Sequence, residues 1–192
     1  LMDPEVPCGV TLAFTERTGG FSKGEFASLN LGSRCGDNLQ HVQKNRQLVL
    51  EALGADEYFS RLLIPHQVHG STVVCLSSDT SEAFEQAKTE AEAGADAIVC
   101  TVQNTPVLLA FADCVPVILV APGGFAVAHS GWKGTIARIS ACTTEALCQA
   151  TGAKLSEVKA YIGPHIGSAD YEVSSELIQM FSQEFGPNVV DR

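Results

Sequence analysis

Residues 115–130 read VPVILVAPGGFAVAHS. Two apolar runs of strand length flank Pro122, Gly123 and Gly124, and the glycine pair supplies the backbone freedom of a tight hairpin. Working upstream, TPVLLAFA at 105–112, ADAIVCTV at 95–102 and STVVCL at 71–76 read as further strands. Residues 62–64 form a short one that delivers PHQVHG into a turn, and GVTLAFTER at 9–17 forms another through Val10, Leu12 and Phe14. Downstream, residues 158–162 read as the last strand. Connections this short favour an antiparallel or mixed sheet.

Helical periodicity lies outside these strands. Leu39, Val42, Arg46, Val49, Leu50 and Leu53 recur at three- and four-residue intervals, with Asp37 or Asn38 as cap and Gly54 as stop. Residues 134–150 are the longest helical candidate, and residues 174–185 place Leu177, Ile178 and Phe181 on one side. Residues 78–95, polar and rich in alanine, suit a helix or a loop. The loop TGGFSKGEFASLNLGSRCGDN, at 18–38, is long for a compact domain, and loops of that kind often carry function. The expected architecture is α+β: one domain over 1–192, with a mixed, largely antiparallel sheet flanked by helices.

The chain has 192 residues, 45% hydrophobic and 18% charged, which is an ample supply for a packed core. Lys and Arg number 12 against 22 Asp and Glu, a net charge of −10 that repels nucleic-acid polymers. A small anion remains compatible with a locally positive pocket. The longest apolar stretch is broken by Asp113 and Pro116 and falls short of the roughly 20 residues that span a bilayer. No membrane partner and no signal peptide are expected. Seven cysteines, at 8, 35, 75, 100, 114, 142 and 148, fit neither a CxxC site nor a disulfide framework. They read as mostly reduced core residues of a cytoplasmic protein. Nothing in the sequence sets an oligomeric state.

Four segments carry chemistry: Gln67-Val68-His69-Gly70, Ala112-Asp113-Cys114, residues 129–135 (HSGWKGT) and residues 163–167 (GPHIG). Each puts a reactive side chain at the end of an apolar run, where a strand can hold it rigidly with one side open. His69, Cys114 and His129 together make a ligand set for zinc with a fourth position left for water or substrate. Gaps of 45 and 15 residues match no compact zinc finger, so this set is a long-range candidate. His66, three residues before His69, is an alternative ligand or a solvent-facing neighbour. The same atoms suit a nucleophilic Cys114 activated by His129, with Asp113 or Gln67 as orienter. Residue chemistry leaves the metal and the nucleophile readings both open.

At these motifs the chain resembles the YfiH family, long described as polyphenol oxidase or laccase-like and now regarded as zinc-dependent purine nucleoside enzymes. The resemblance begins with residues 9–38 and continues through QVHG, ADC, the 129–135 segment and residues 163–173, covering nearly the whole chain. It implies zinc held by His69, Cys114 and His129, with Asp113 supporting the Cys114 loop or polarising a bound group. It implies that Arg17 meets phosphate or a ribose oxygen and that Asn30 sets the loop around the substrate. Three departures stand out. Lys133 replaces the usual arginine and lacks its bidentate fork. His165 stands where cysteine is common. The chain stops at Arg192, short of the further sheet structure the family normally has, so a C-terminal truncation is compatible with it.

The resemblance implies purine nucleoside phosphorolysis, with phosphate attacking the anomeric carbon of inosine or adenosine, and adenosine deamination as an associated activity. Purine nucleoside and phosphate are the expected partners. Arg17 and Lys133 would offset the negative field, while His165 or Asp113 would move protons. Copper-dependent phenol oxidation is the competing activity under the older family name, although five histidines are few for a multi-copper centre. A hydrolase built on Cys114 and His129, and a non-catalytic homologue that binds a partner or nucleotide, are compatible with the same residues.

Overall fold

Five strands form one sheet in the computed structural model, which describes residues 9–190. They are β1 (Val73–Leu76), β2 (Ala97–Cys100), β3 (Val115–Ala121), β4 (Gly124–Ser130) and β5 (Lys159–Ile162), in spatial order β1-β2-β4-β3-β5. β1 and β2 pair in parallel, and the other three pairings are antiparallel. The hairpin expected from residues 115–130 is the β3–β4 pair, turned at Pro122 and Gly123, whose φ of +89° suits glycine. The helices are α1 (Leu39–Ala52), α2 (Ser81–Gly94), α3 (Trp132–Ile136), α4 (Ile139–Thr151) and α5 (Ser175–Phe185). The α+β expectation holds.

Period-two alternation sorts the sheet into two buried faces. Ala97, Val99, Val117, Leu119, Ala126 and Ala128 pack with Ile139 and Leu147 of α4. On the other face, Leu76, Ile98 and Cys100 meet Ala87 and Ala91 of α2. There too, Ile118, Val120 and Val127 meet Leu12 and Leu109. Fully burying a leucine or isoleucine stabilises by roughly 1.5–3 kcal/mol, so side chains such as Ile98 and Leu147 anchor the layers.

Several expectations need correction. Residues 9–17 form no ladder; Leu12 and Phe14 alternate because they pack on the sheet face, not because their backbone pairs. Residues 105–112 and 62–64 share one isolated bridge, between Leu63 and Val107. The helix expected over 134–150 is two helices, broken at Arg138, which sits in the left-handed region at φ 58°. Within residues 78–95, whose sequence suits helix or loop, Ser81–Gly94 form α2, capped by the Thr80 hydroxyl. In α1, capped by Asn38 and followed by Gly54 at φ +64°, Leu39 is exposed and Asn45 is buried. Asn45 accepts from Phe21 N and donates to Ser28 O and Asn30 O, so this helix face holds the long loop through polar bonds.

The six described cysteines are free, but only Cys100 is fully buried, whereas Cys35, Cys75 and Cys142 are exposed. Cys75 illustrates the reason: it takes an outward position on β1, at the sheet edge. Cys8 lies outside the described residues. Among those residues, no helix is long and apolar enough to cross a membrane.

Candidate metal centre

Strand register brings the reactive residues to one end of the sheet. Ala97 of β2 pairs with Ala128 of β4, so Asp96 faces His129 one step further, and His129 N donates to Asp96 O at 2.7 Å. Val115 of β3 pairs with Ser130, which sets Cys114 opposite Gly131. Val73 of β1 pairs with Ala97, and the His69–Gly70 turn lies just before β1. Alternation directs Asp96, Cys114 and His129 to the face that also carries Ile98, Ile118 and Val127.

One imidazole nitrogen from each of His69 and His129 and the Cys114 sulfur lie within 4.8 Å of one another. The two rings meet edge to face at 4.7 Å. His129 is buried, Cys114 half-buried and His69 exposed, so the group has a dry side and an open side. Ligands of one tetrahedral zinc stand roughly 3.3–3.6 Å apart, so these donors would close by at most about 1.5 Å around an ion. Gly131 provides the space. A Cβ there would stand 3.0 Å from His69 Cδ2 and 3.2 Å from Cys114 Sγ, in the middle of the cluster. The donor set and this cradle fit a single ion.

The HSGWKGT segment explains itself in the same terms. At Gly134 a Cβ would come 2.8 Å from Gly70 O, so its absence lets α3 close against the His69 turn. Thr135 N and Oγ1 both donate to Gly131 O, at 2.8 and 2.9 Å, which fixes the turn after His129.

Asp96, which sequence reasoning missed, sits at the centre of the arrangement. It is fully buried, and its carboxylate accepts from Val68 N, His69 N and Gly70 N at 3.2, 3.0 and 2.7 Å. His129 Nδ1 lies 2.7 Å from the same carboxylate; an ionised carboxylate can only accept, so the ring donates from Nδ1–H and Nε2 is left as the ligand atom. The only visible signal was a charged residue opening an otherwise apolar run. Burial holds the His129 imidazole below its ordinary value despite this hydrogen bond, favouring the neutral form that metals require. Burial, aided by Asp113 and Asp96, pushes the Cys114 thiol up, which opposes a free thiolate nucleophile.

The remaining expected site residues fall as follows. Gln67 does not orient His129; its amide exchanges two hydrogen bonds with Ala110. His66 is outside the ligand cluster, its backbone bonded to Ala91 and Ala95. Asp113 is exposed, and its carbonyl accepts from Ile166 N at 3.1 Å, which ties the Cys114 turn to the His165 loop. His165 is exposed, with Nδ1 2.8 Å from Ile166 O. Lys133 is exposed, its ammonium 5.3 Å from the Trp132 ring centre. Arg17 and Asn30 stand elsewhere, in the wall of a groove of about 1190 Å³ that extends to Phe111 and Pro164. Phe111 lies 5.5 Å from the His129 ring and so joins groove and cluster. Asn30 shapes its loop by bonding Gly32 and Asp37.

The sequence model of a family described as multi-copper polyphenol oxidoreductase laccase matches residues 11–190. The chain is 32% identical to a purine nucleoside phosphorylase of Bacteroides thetaiotaomicron, over 88% of this chain and 63% of that protein. It is 30% identical to adenosine deaminase RL5 from an unknown prokaryotic organism, over 91% of this chain and 66% of that protein. The crystal structure of the hypothetical protein YfiH of Bacillus licheniformis superposes with TM-score 0.77 at 33% identity, covering 89% of this chain and 64% of that one. The chain thus spans just under two thirds of these relatives' length.

Proposed function

The chain belongs to the YfiH family, whose sequence model carries the laccase description, and from that premise we propose a zinc-dependent purine nucleoside phosphorylase. The observation that carries this reading is the His69–Cys114–His129 cluster around Gly131, in a chain whose relatives include named purine nucleoside phosphorylases. Two imidazoles and one thiolate match a mononuclear zinc site with an open position. A multi-copper centre calls for more imidazoles than the two this cluster holds among the described residues.

The reaction takes a purine nucleoside and phosphate to the free base and ribose 1-phosphate. His69, Cys114 and His129 would hold the ion, which when bound supplies Lewis-acid activation of phosphate or water. Arg17 in the groove wall and Lys133 on α3, just after Gly131, each counter the negative field of the chain for an incoming phosphate, and Asn30 keeps the groove wall in shape. The hydrogen bonds of Arg17 use Nε–H and one Nη2–H, which leaves both Nη1 hydrogens and the second Nη2–H to meet an anion. Asp113 and His165, on two loops joined by a backbone hydrogen bond, are the groups assigned to move the proton at the leaving base. Free, exposed thiols at Cys35, Cys75 and Cys142 support a reducing, cytoplasmic setting.

The relative named adenosine deaminase favours a second reading at the same site, deamination of adenosine. Metal analysis and product analysis test both. The expected result is about one zinc per chain, with hypoxanthine and ribose 1-phosphate from inosine plus phosphate. Inosine from adenosine without phosphate would establish the second reading. Phenol oxidation by copper-loaded protein, with neither nucleoside product, would overturn both.

A further inference from the structure

Among the described residues no lysine or arginine pairs with the buried Asp96 carboxylate, a placement that is unfavourable unless every lone pair is matched. The four partners of this side chain among the described residues all belong to the candidate centre. Oδ1 accepts from His69 N and faces His129 Nδ1, while Oδ2 accepts from Val68 N and Gly70 N. A carboxylate has about four acceptor positions, so this one is saturated. Three successive backbone N–H groups converge on it, a concave anion-binding turn. His69 takes up this turn with φ of 60°, a conformation that non-glycine residues adopt only when their surroundings impose it.

We propose that Asp96 is the positioning residue of the metal centre: one carboxylate sets the His69 turn and the His129 ring together, so that both present ligand atoms beside Cys114. The inference rests on the metal reading above. Register supports it independently, because Asp96 occupies the position opposite His129 and on the same sheet face. A ring held through Nδ1–H offers Nε2 outward in one orientation, and a turn held at three amides keeps His69 beside it. Cys114 and Gly131 then need only the β3–β4 register to complete the group.

Asn at this position separates the role from simple filling of space. Its amide has nearly the same shape, yet in either orientation one oxygen becomes a donor facing two N–H groups or an N–H group and an imidazole. Asp96→Asn is expected to weaken zinc binding by about 10–100-fold, read by competition with a chromophoric chelator. A lowered melting temperature with unchanged zinc affinity would make Asp96 merely structural and overturn the proposal. Nitrogen NMR of labelled histidine in the metal-free wild-type protein gives a second reading that needs no variant. His129 is expected as the Nδ1–H tautomer with a strongly hydrogen-bonded proton, and the Nε2–H tautomer would also overturn the proposal. Wild-type protein that fails to bind zinc but shows the Nδ1–H tautomer would sink the zinc function, yet support Asp96 as organiser of these histidines.

Discussion

The side chain of Gln67 and the backbone of Ala110 form a closed pair: Nε2 donates to Ala110 O at 2.8 Å, and Ala110 N donates to Oε1 at 2.9 Å. A side-chain amide here replaces the strand pairing that residues 105–112 lack around Ala110. It joins the turn that carries His69 to the segment that leads into Cys114. Gln67→Glu keeps the shape and one acceptor but sets a carboxylate oxygen against Ala110 O. The expected loss is about 1–3 kcal/mol in urea denaturation, with weaker zinc retention. An unchanged midpoint and metal content would show that the pair positions nothing.

Gly131 has φ of −72°, so alanine meets no backbone strain there. The obstacle is space, since a Cβ would crowd His69 and Cys114. Gly131→Ala is therefore expected to keep its fold, with circular dichroism like the wild type, and to lose metal affinity by tenfold or more, on the order of 1.4 kcal/mol. Full zinc occupancy at wild-type affinity in this variant would show that the cluster does not close around the space that Gly131 leaves.

Legibility followed the range of the interactions. The β3–β4 hairpin was readable because its partners are adjacent and its turn is glycine-rich. Residues 9–17 and 105–112 misled because alternation reports which side chains are buried and says nothing about a backbone partner. α2 was ambiguous because its buried face is only Ala87 and Ala91. The break at Arg138 has no glycine or proline to announce it. His69, Cys114 and His129 were nameable by residue type, but Asp96 was not: its bonds reach back 26 to 28 residues and forward 33.

Asp37 anchors the long loop by accepting from Ser22 Oγ at 2.6 Å and Asn30 Nδ2 at 2.9 Å. The Ser22 hydrogen bond first, then that of Asn30, hold its carboxyl below the ordinary value of about 3.8, against an opposing effect of burial. The unfolded chain therefore binds this proton first as the pH falls. The contribution of Asp37 to stability is complete above about pH 3.8 and is lost as pH drops through the lower folded value. Carbon NMR of the Asp37 carboxyl should show that depression, and Ser22→Ala should raise the midpoint. A wild-type midpoint at or above the ordinary value would contradict the loop geometry.

Arg17 carries two roles that one variant can separate. Its Nε and Nη2 donate to Ala27 O at 3.1 and 2.8 Å, and its carbonyl accepts from Ser28 N and Leu29 N at 2.9 and 2.8 Å. The side chain thus staples the loop while standing in the groove wall. Lysine keeps the charge but loses the planar fork. Arg17→Lys is expected to lower stability by about 1 kcal/mol and to increase proteolysis near residues 24–27. If Nη1 also meets phosphate, KM for phosphate rises about fivefold to tenfold while KM for inosine changes less, because only the anion contact is lost. A rise confined to loop cleavage, with both KM values unchanged, would remove Arg17 from the phosphate site and leave it as the staple alone.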